Sequence, residues 1–445
     1  MIPVVQHLSS DEKLRHVAEG LSLAASSQPH APVLQAWSAL ANGQVTFTEF
    51  GKWVERRDEL TFLTIDTTGV CDLLCSGMCY YHPEIDRRKG FAPEDSLKRA
   101  IQDSVERLRL KSLVFAGKEP FLNPRRLFNL LDFVDPRSKR NFQTGIVTNG
   151  RHIRRFWAEL ESIVAADRLD FIDVSIDSGY AAQHDEIRGV EGTFERAFAA
   201  TQQIASRFPD LRLTIPSVLR HDNVEGILEL IRLASEHASN FQVQPIQPPP
   251  YSSIRPLSAD FVVDFLHKVT GFLRNELRGR NIEVSVELLG IYLMEVAQAG
   301  FFSWSDLRED EHGTVYAESV IDGNRLVLTC DCLPLQAWRL ARITYEGAYL
   351  AHMHFLQTTD RSSFLVGYVQ DEPITQLFKR ALAQGSHFQN IVDSRAGHDC
   401  RSRPCWNNCF GGWNGAENAF LTGLPLNRQP QLCTKTETDF ERLLK

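Results

Sequence analysis

Six short β-branched runs alternate with longer amphipathic segments between residues 60 and 250, and this alternation restricts the possible folds more than any other feature of the sequence. Strands that are separated by helices pair in parallel through right-handed crossovers. We therefore expect an α/β fold, either a doubly wound sheet or a complete or partial (β/α) barrel. The predicted strands are 62–66, 112–116, 144–148, 171–176, 212–218 and 241–246, and the predicted helices lie near 95–109, 124–134, 151–165, 192–207 and 224–237.

Polar segments follow each of the first four predicted strands. They are Cys71–Cys79, Gly117–Pro120, Asn149–Gly150 and Asp177. Because the carboxyl ends of parallel strands meet at one edge of a sheet or barrel, these segments are expected to form one site. No Gly-x-Gly-x-x-Gly or P-loop pattern follows any of these strands, so the sequence gives no support to a nicotinamide or P-loop nucleotide site.

The nine cysteines are clustered, and none lies between residues 80 and 329. In a reducing compartment such clusters indicate metal or iron-sulfur ligands rather than disulfides. Three thiolates at Cys71, Cys75 and Cys79 can hold one corner of an inorganic cluster and leave a metal position open for a substrate or cofactor. A structural zinc site usually has four protein ligands, although zinc stays an alternative for this loop.

Charge and hydropathy exclude two classes of partner. With 48 Lys+Arg against 56 Asp+Glu the net charge is −8, so a basic surface for nucleic acid is not expected. No uncharged apolar run of about 18 residues is present, and the first fifteen residues lack the apolar core of a signal peptide. We expect a cytoplasmic protein that binds neither nucleic acid nor membrane.

The segments at the strand ends resemble those of the radical S-adenosylmethionine (radical SAM) superfamily, and specifically its SPASM branch. The resemblance covers roughly 60–250 and, more weakly, 325–440. It is carried by Cys71–Cys79, Ala116–Pro120, Val147–Gly150, Val174–Asp177 and His184–Phe194. The family's usual loop is Cys-x-x-x-Cys-x-x-Cys with an aromatic residue before the third cysteine. Here one residue is added, and Met78 stands in the aromatic position.

The resemblance implies that Cys71, Cys75 and Cys79 bind a [4Fe-4S] cluster whose open iron is chelated by S-adenosylmethionine. An electron from the cluster then breaks a C–S bond and gives a 5'-deoxyadenosyl radical. Glu119 would accept a hydrogen bond from the cofactor's amino group, and Arg188 suits its carboxylate or ribose, unless it pairs with Asp185 or Glu191 instead. The implied cofactor-binding residues are Tyr80, Gly117, Glu119, Asn149, Ser175 and Arg188.

The C-terminal cysteines resemble the SPASM pattern, which implies one or two auxiliary iron-sulfur clusters. The implied ligands are Cys330, Cys332, His352, Cys400, Cys405, Cys409 and Cys433. Six thiolates cannot fill two cubanes, which need eight ligands. Either one cluster forms and two cysteines are spare, or His352 and His398 complete two sites, since imidazole can ligate iron-sulfur centres. Zinc in this region is a further alternative.

These inferences predict four parts: an N-terminal helical extension (1–57), a partial (β/α)6 TIM-like barrel (58–250), a helical bridge (251–325) and a small SPASM-like iron-sulfur domain (326–445). By resemblance, the chain is a radical SAM enzyme that oxidatively modifies or cross-links a peptide, as a maturase does, with an electron donor such as flavodoxin or ferredoxin. The first alternative is a small-molecule dehydrogenase or epimerase. The second is a non-catalytic iron-sulfur or zinc scaffold, which would not need Glu119, Ser175 and Arg188.

Overall fold

The fold of the chain is given by a computed structural model. The structure describes residues 10–45, 58–75, 78–79, 90–238, 240–246, 257–289, 292–331, 340–350 and 365–383, with isolated positions at 49, 52, 56, 254 and 255. Several predicted site residues lie outside the described residues, namely Tyr80, Cys332, His352, His398, Cys400, Cys405, Cys409 and Cys433.

The central part is a parallel sheet whose strands alternate with helices, as the sequence predicts. After α1 (Ser10–Ser27) and α2 (Pro32–Ala41) come β1 (Phe62–Asp66), α3 (Glu94–Arg107), β2 (Ser112–Ala116), α4 (Pro124–Phe133), β3 (Gln143–Thr148), α5 (Trp157–Ala165), β4 (Phe171–Val174), α6 (Ala181–Arg188), α7 (Thr193–Arg207), β5 (Arg212–Leu219), α8 (Val224–Ala234), β6 (Asn240–Pro245), α9 (Ala259–Asn275) and β7 (Glu283–Leu289). Strands β1 to β7 are neighbours in chain order and pair in parallel.

Strand β7 lies where the sequence analysis expects only helices. Residues Val284, Val286 and Leu288 are buried, whereas the residues between them are half-buried. This period of two is that of a strand, and α9 and α10 (Leu293–Gln298) on either side of it are the helices that the prediction extended across it. The segment 251–325 is therefore a continuation of the α/β alternation rather than a wholly helical bridge.

The remaining described strands extend both edges of this sheet. They are β8 (Arg308–Glu309), β9 (Val315–Ile321), β10 (Asn324–Asp331), β11 (Leu340–Ile343), β12 (Ala348–Leu350) and β13 (Leu365–Tyr368). Strand β10 pairs in parallel with β7, and β11 pairs in parallel with β1. The described residues beyond 325 thus add paired strands to both edges of the sheet β1–β7. Without them, the backbone groups of β1 and β7 would be unpaired along those edges. The four predicted domain boundaries stay predictions.

The register decides between a barrel and a doubly wound sheet. Leu63, Leu113, Ile172, Leu213 and Val284 lie on one face of the sheet and belong to the hydrophobic core together with residues of the helices. On the opposite face the strand residues are mostly half-buried and polar. A doubly wound sheet is covered by helices on both faces, whereas a barrel sheet is covered on its outside alone. The fold is therefore that of a partial TIM-like barrel.

Two contacts show how the sheet curls and where its N-terminal helices lie. The rings of Phe62 in β1 and His312 beside β8 have centroids 5.6 Å apart, although eight strands lie between β1 and β8 in the sheet order. Helix α2 begins against β8, where Glu309 Oε2 accepts hydrogen bonds from the backbone N–H groups of Val33 and Leu34, both at 2.9 Å. Among the described residues, no helix is long and apolar enough to cross a membrane.

Candidate active site

The cysteine loop that follows β1 is held to its neighbours at three points. The carbonyl of Val70 accepts a hydrogen bond from Glu119 N at 3.1 Å, and Leu74 N donates to the carbonyl of Arg188 at 3.0 Å. The third point is the side chain of Asp72. These contacts join the loop to the ends of β2, β3 and α6. The polar segments therefore meet at one end of the sheet, as the sequence predicts.

The three loop cysteines are partly exposed and are not in disulfides. Burial raises the pKa of Cys71 to about 12, and it also raises the pKa of Cys75, against the effect of the nearby Arg188 charge. Within the described residues, no three metal-ligating side chains converge closely enough to hold a metal ion. The donor set itself suits iron, because three thiols on one loop supply soft ligands once they release their protons to the metal.

Glu119 is a fully buried carboxylate at the end of β2. Its Oε1 accepts hydrogen bonds from Thr148 Oγ1 at 2.7 Å and Phe121 N at 3.1 Å, and its Oε2 accepts from Asn149 N at 2.8 Å. Burial nevertheless raises the pKa of Glu119 to about 7. A carboxylate offers about four acceptor positions, so one is left for a further donor. No lysine, arginine or histidine of the described residues forms an ion pair with it, so an incoming ammonium group would supply the missing charge.

Asp72, inside the cysteine loop, contacts three residues that follow β3. Its Oδ2 lies 2.8 Å from His152 Nε2 and forms an ion pair with Arg151, and its Oδ1 accepts a hydrogen bond from Asn149 Nδ2 at 3.3 Å. Burial alone would raise the pKa of Asp72, but the hydrogen bond and charge of His152 and the charge of Arg151 outweigh it and lower the pKa. The sequence analysis overlooked this cluster, although a carboxylate between two predicted cluster ligands was a visible signal.

Arg188, the last residue of α6, is bound by Asp177 rather than by either partner considered in the sequence analysis. Its Nε donates to Asp177 Oδ2 at 2.5 Å, and its positive charge lies close enough to Cys75 to oppose the rise in the pKa of that thiol. Asp185 is occupied differently, because it accepts hydrogen bonds from Gly192 N and Phe194 N at 2.6 and 2.9 Å. Arg188 thus brings a permanent positive charge to the cysteine loop.

The other predicted cofactor residues lie at the same end of the sheet. Gly117 has a φ of +91°, and a Cβ there would lie 2.6 Å from the Asp66 Cβ, so the turn that leads to Glu119 requires glycine. Ser175 follows β4 directly, and its N–H donates to the carbonyl of Thr148 at 2.9 Å. Thr148 therefore links Ser175 to Glu119, because its carbonyl accepts from Ser175 N and its hydroxyl donates to the Glu119 carboxylate.

Cys330 lies apart from this site. It is 5% exposed in β10, on the sheet face that packs into the hydrophobic core, and its thiol points to the carbonyl of Leu328 at 3.8 Å. Within the described residues, Cys330 belongs to no group of three side chains that could hold a metal ion. The period of two along β10 explains this position, because Leu326 and Leu328 share the face with Cys330. Its predicted role as a metal ligand stays a prediction that this burial disfavours.

Comparisons with known proteins agree with the geometry. The sequence model of the radical SAM superfamily matches residues 65–234 of the chain. The AdoMet-dependent heme synthase of Methanosarcina barkeri is 27% identical over 142 residues, which are 32% of this chain and 38% of that protein. The match therefore spans well under half of this curated relative.

Solved structures share the fold over most of the chain. SuiB of Streptococcus suis, bound to the precursor peptide SuiA, matches 90% of this chain and 80% of its own with a TM-score of 0.62 at 16% identity. Native anSMEcpe with bound AdoMet and the Cp18Cys peptide matches 86% of this chain and 95% of its own with a TM-score of 0.54 at 15% identity.

A partial barrel with a cysteine loop and a buried glutamate at its strand ends defines the class of enzymes that use S-adenosylmethionine together with an iron-sulfur cluster. The segment 65–234 is that of the radical SAM superfamily. The two solved structures share the fold, and the SPASM branch stays a prediction from the cysteines. The residues present fit the cofactors that the family implies. Cys71, Cys75 and Cys79 supply three thiols, and Glu119 has an acceptor position for an ammonium group.

Proposed function

We propose that this radical SAM enzyme oxidatively modifies or cross-links a peptide. The proposal rests on Glu119, a buried carboxylate with one acceptor position left for a further donor. The backbone N–H of the same residue donates a hydrogen bond to the carbonyl of Val70, at the start of the cysteine loop. When bound to a reduced cluster, S-adenosylmethionine supplies a 5'-deoxyadenosyl radical that abstracts a hydrogen atom. In this proposal Glu119 binds the cofactor's ammonium group, and Arg188 holds positive charge beside the loop.

The inner face of the barrel supports a polar substrate. Asp173 and Thr214 are opposite each other in β4 and β5, and Gln242 and Ser285 are opposite each other in β6 and β7. All four lie on this face and are half-buried. Burial raises the pKa of Asp173 to about 6, although the Arg212 charge and a hydrogen bond from Thr214 act against the rise. These two pairs offer both donors and acceptors, which suit the amide groups of a peptide better than an aliphatic chain.

A peptide is favoured over a small molecule because two solved structures with this fold contain bound peptides. The same polar residues would also bind a sugar or an aminoglycoside, so the small-molecule dehydrogenase or epimerase is the second candidate. We also propose that Cys332, Cys400, Cys405, Cys409 and Cys433, with or without His352, hold one or two auxiliary clusters.

The test uses anaerobically reconstituted protein with dithionite as reductant. We expect S-adenosylmethionine to be cleaved to 5'-deoxyadenosine and methionine. The mass of a peptide encoded beside the gene should decrease by that of two or more hydrogens. Folded Cys405→Ala or Cys409→Ala variants should still form 5'-deoxyadenosine but little product. Cofactor cleavage that only sugars accelerate would favour the second candidate. Stoichiometric zinc without iron would refute the radical reaction altogether.

A further inference from the structure

We propose that Asp72 is a positioning residue, which fixes the cysteine loop against the segment 149–152 and so sets the position of the thiols relative to Glu119. The inference rests on the radical SAM activity proposed above and adds a residue to it that the motif comparison does not assign. Asp72 itself touches neither the cofactor nor the reacting atoms. It acts through the backbone of the loop that begins at Cys71.

The first part of the argument is that one carboxylate joins two separate segments. Asp72 contacts Asn149, Arg151 and His152, which lie 77 to 80 residues further along the chain. The side chains of Arg151 and His152 are 9% and 7% exposed, and that of Asp72 is 25% exposed. Because water competes poorly at such sites, these charge-assisted hydrogen bonds hold the loop more firmly than a surface ion pair does.

The second part is that the same segment binds Glu119. Asn149 donates its backbone N–H to Glu119 Oε2 at 2.8 Å and its side-chain N–H to Asp72 Oδ1 at 3.3 Å. Its side-chain oxygen accepts a hydrogen bond from Arg151 N at 2.9 Å, which fixes the turn. A single residue therefore contacts both the carboxylate expected to bind the ammonium group and the carboxylate inside the cysteine loop.

The third part is that a small movement of the cysteine loop is expected to weaken cofactor binding. Asp72 is adjacent to Cys71, so a displacement of its side chain moves a predicted ligand directly. The cofactor is expected to contact both the cluster and Glu119, and its binding depends on the distance between them. Displacements of about 1 Å are enough to impair such two-point binding.

The test compares Asp72→Asn, Asp72→Ala and Arg151→Met with a matched control, Glu225→Ala. Glu225 forms an ion pair with Lys268 at 2.6 Å on the surface, where both side chains are more than half exposed. Each reconstituted protein is assayed for iron content, for S-adenosylmethionine affinity by equilibrium dialysis, and for the change that the cofactor causes in the electron paramagnetic resonance spectrum of the reduced cluster. Hydrogen exchange of the Leu73 and Leu74 amides reports on the loop itself.

We expect Asp72→Ala to lower the affinity for S-adenosylmethionine tenfold or more, to weaken the spectral change and to speed exchange at Leu73 and Leu74. Asp72→Asn keeps the shape but loses the charge, so a three- to tenfold loss is expected. Arg151→Met should cause a similar loss. In the double variant Asp72→Asn/Arg151→Met the loss should be smaller than the product of the two single losses, because the two residues act through one contact. Glu225→Ala should match the wild type.

If Asp72→Ala does not fold, Asp72→Asn and Arg151→Met decide the question. Wild-type affinity and spectra in these variants would overturn the positioning role while leaving the proposed function intact. A wild-type protein that binds no S-adenosylmethionine would instead overturn the proposed function, and the positioning role with it. Loss of affinity in Glu225→Ala as well would show that the effect is a general one and would also count against Asp72.

Discussion

Arg188 Nε and Asp177 Oδ2 form a buried ion pair with a separation of 2.5 Å, and Asp177 is completely inaccessible to solvent. The second oxygen of Asp177 accepts a hydrogen bond from Val218 N at 2.9 Å. This arrangement ties the end of α6 to β5 and directs the guanidinium of Arg188 towards Cys75. It gives Arg188 a fixed position beside the cysteine loop before any cofactor is bound.

Replacing Arg188 should destabilise the protein, since Asp177 would be left buried without a counter-charge. We expect Arg188→Met to lower the free energy of unfolding by about 3–5 kcal/mol in denaturant titrations. Arg188→Lys should recover part of this loss. Arg232→Ala removes an exposed ion pair with Glu229 and serves as the control, with an expected loss of at most about 1 kcal/mol. Equal losses in Arg188→Met and Arg232→Ala would contradict the buried pairing.

Glu119→Ala should weaken cofactor binding. Loss of one charge-assisted hydrogen bond costs about 1.5–3 kcal/mol, so the affinity for S-adenosylmethionine should fall roughly ten- to hundredfold in equilibrium dialysis. Thr148→Val removes one donor to Glu119 but leaves the carboxylate in place, so its effect on affinity should be smaller. Unchanged binding in Glu119→Ala would show that this carboxylate does not face the cofactor.

Iron content tests the cysteine loop. Three cubanes contain about twelve irons and two contain about eight, so reconstituted protein should hold between these values per chain. The triple variant Cys71/Cys75/Cys79→Ala should lose about four irons. Colorimetric iron analysis against protein concentration measures both numbers. A triple variant that keeps its full iron content would exclude the loop as a cluster site.

Cys330→Ala should leave the iron content unchanged, because the thiol packs in the hydrophobic core among Leu326 and Leu328. The loss of a buried sulfur should lower the free energy of unfolding by about 1 kcal/mol. Iron analysis and thermal unfolding of the same preparation separate the two effects. Loss of about four irons would instead place Cys330 among the auxiliary ligands.

His184 should make stability depend on pH. It is fully buried, its Nδ1 accepts a hydrogen bond from Asp177 N at 3.0 Å, and burial lowers its pKa to about 4. Below pH 6.5 the unfolded chain binds a proton that the folded chain does not, so stability is complete above pH 6.5 and falls as the pH approaches 4. The expected loss is about 2 kcal/mol between pH 7 and 5.

His184→Asn is the matched variant for this measurement, since its side-chain oxygen can accept the same hydrogen bond and does not titrate. The difference in unfolding free energy between wild type and variant should therefore shift by about 2 kcal/mol between pH 7 and 5. A difference that is constant over this range would mean that His184 is protonated equally in both states.

The sequence predicts most of the barrel because its local signals are strong. Runs such as 62–66 and 112–116 are short, β-branched and separated by amphipathic helices, and the structure places strands at the same residues. Strand β7 was missed because it lies between two true helices and is too short for a period of two to stand out. Glu119 and Asn149 were placed at the candidate site because parallel strands bring their carboxyl ends together, whereas Arg188 was named from the family resemblance alone.

By itself, then, the sequence determined the α/β alternation, the strand ends that carry the candidate site and the resemblance to the radical SAM superfamily. Only the tertiary structure decided which groups pair there. Arg188 has acidic residues near it in sequence, yet its partner is Asp177, and Asp72 pairs with residues about 80 positions away. Neither choice has a local signal, because a buried charge is stabilised by whichever opposite charge the fold brings into contact with it, at any distance along the chain.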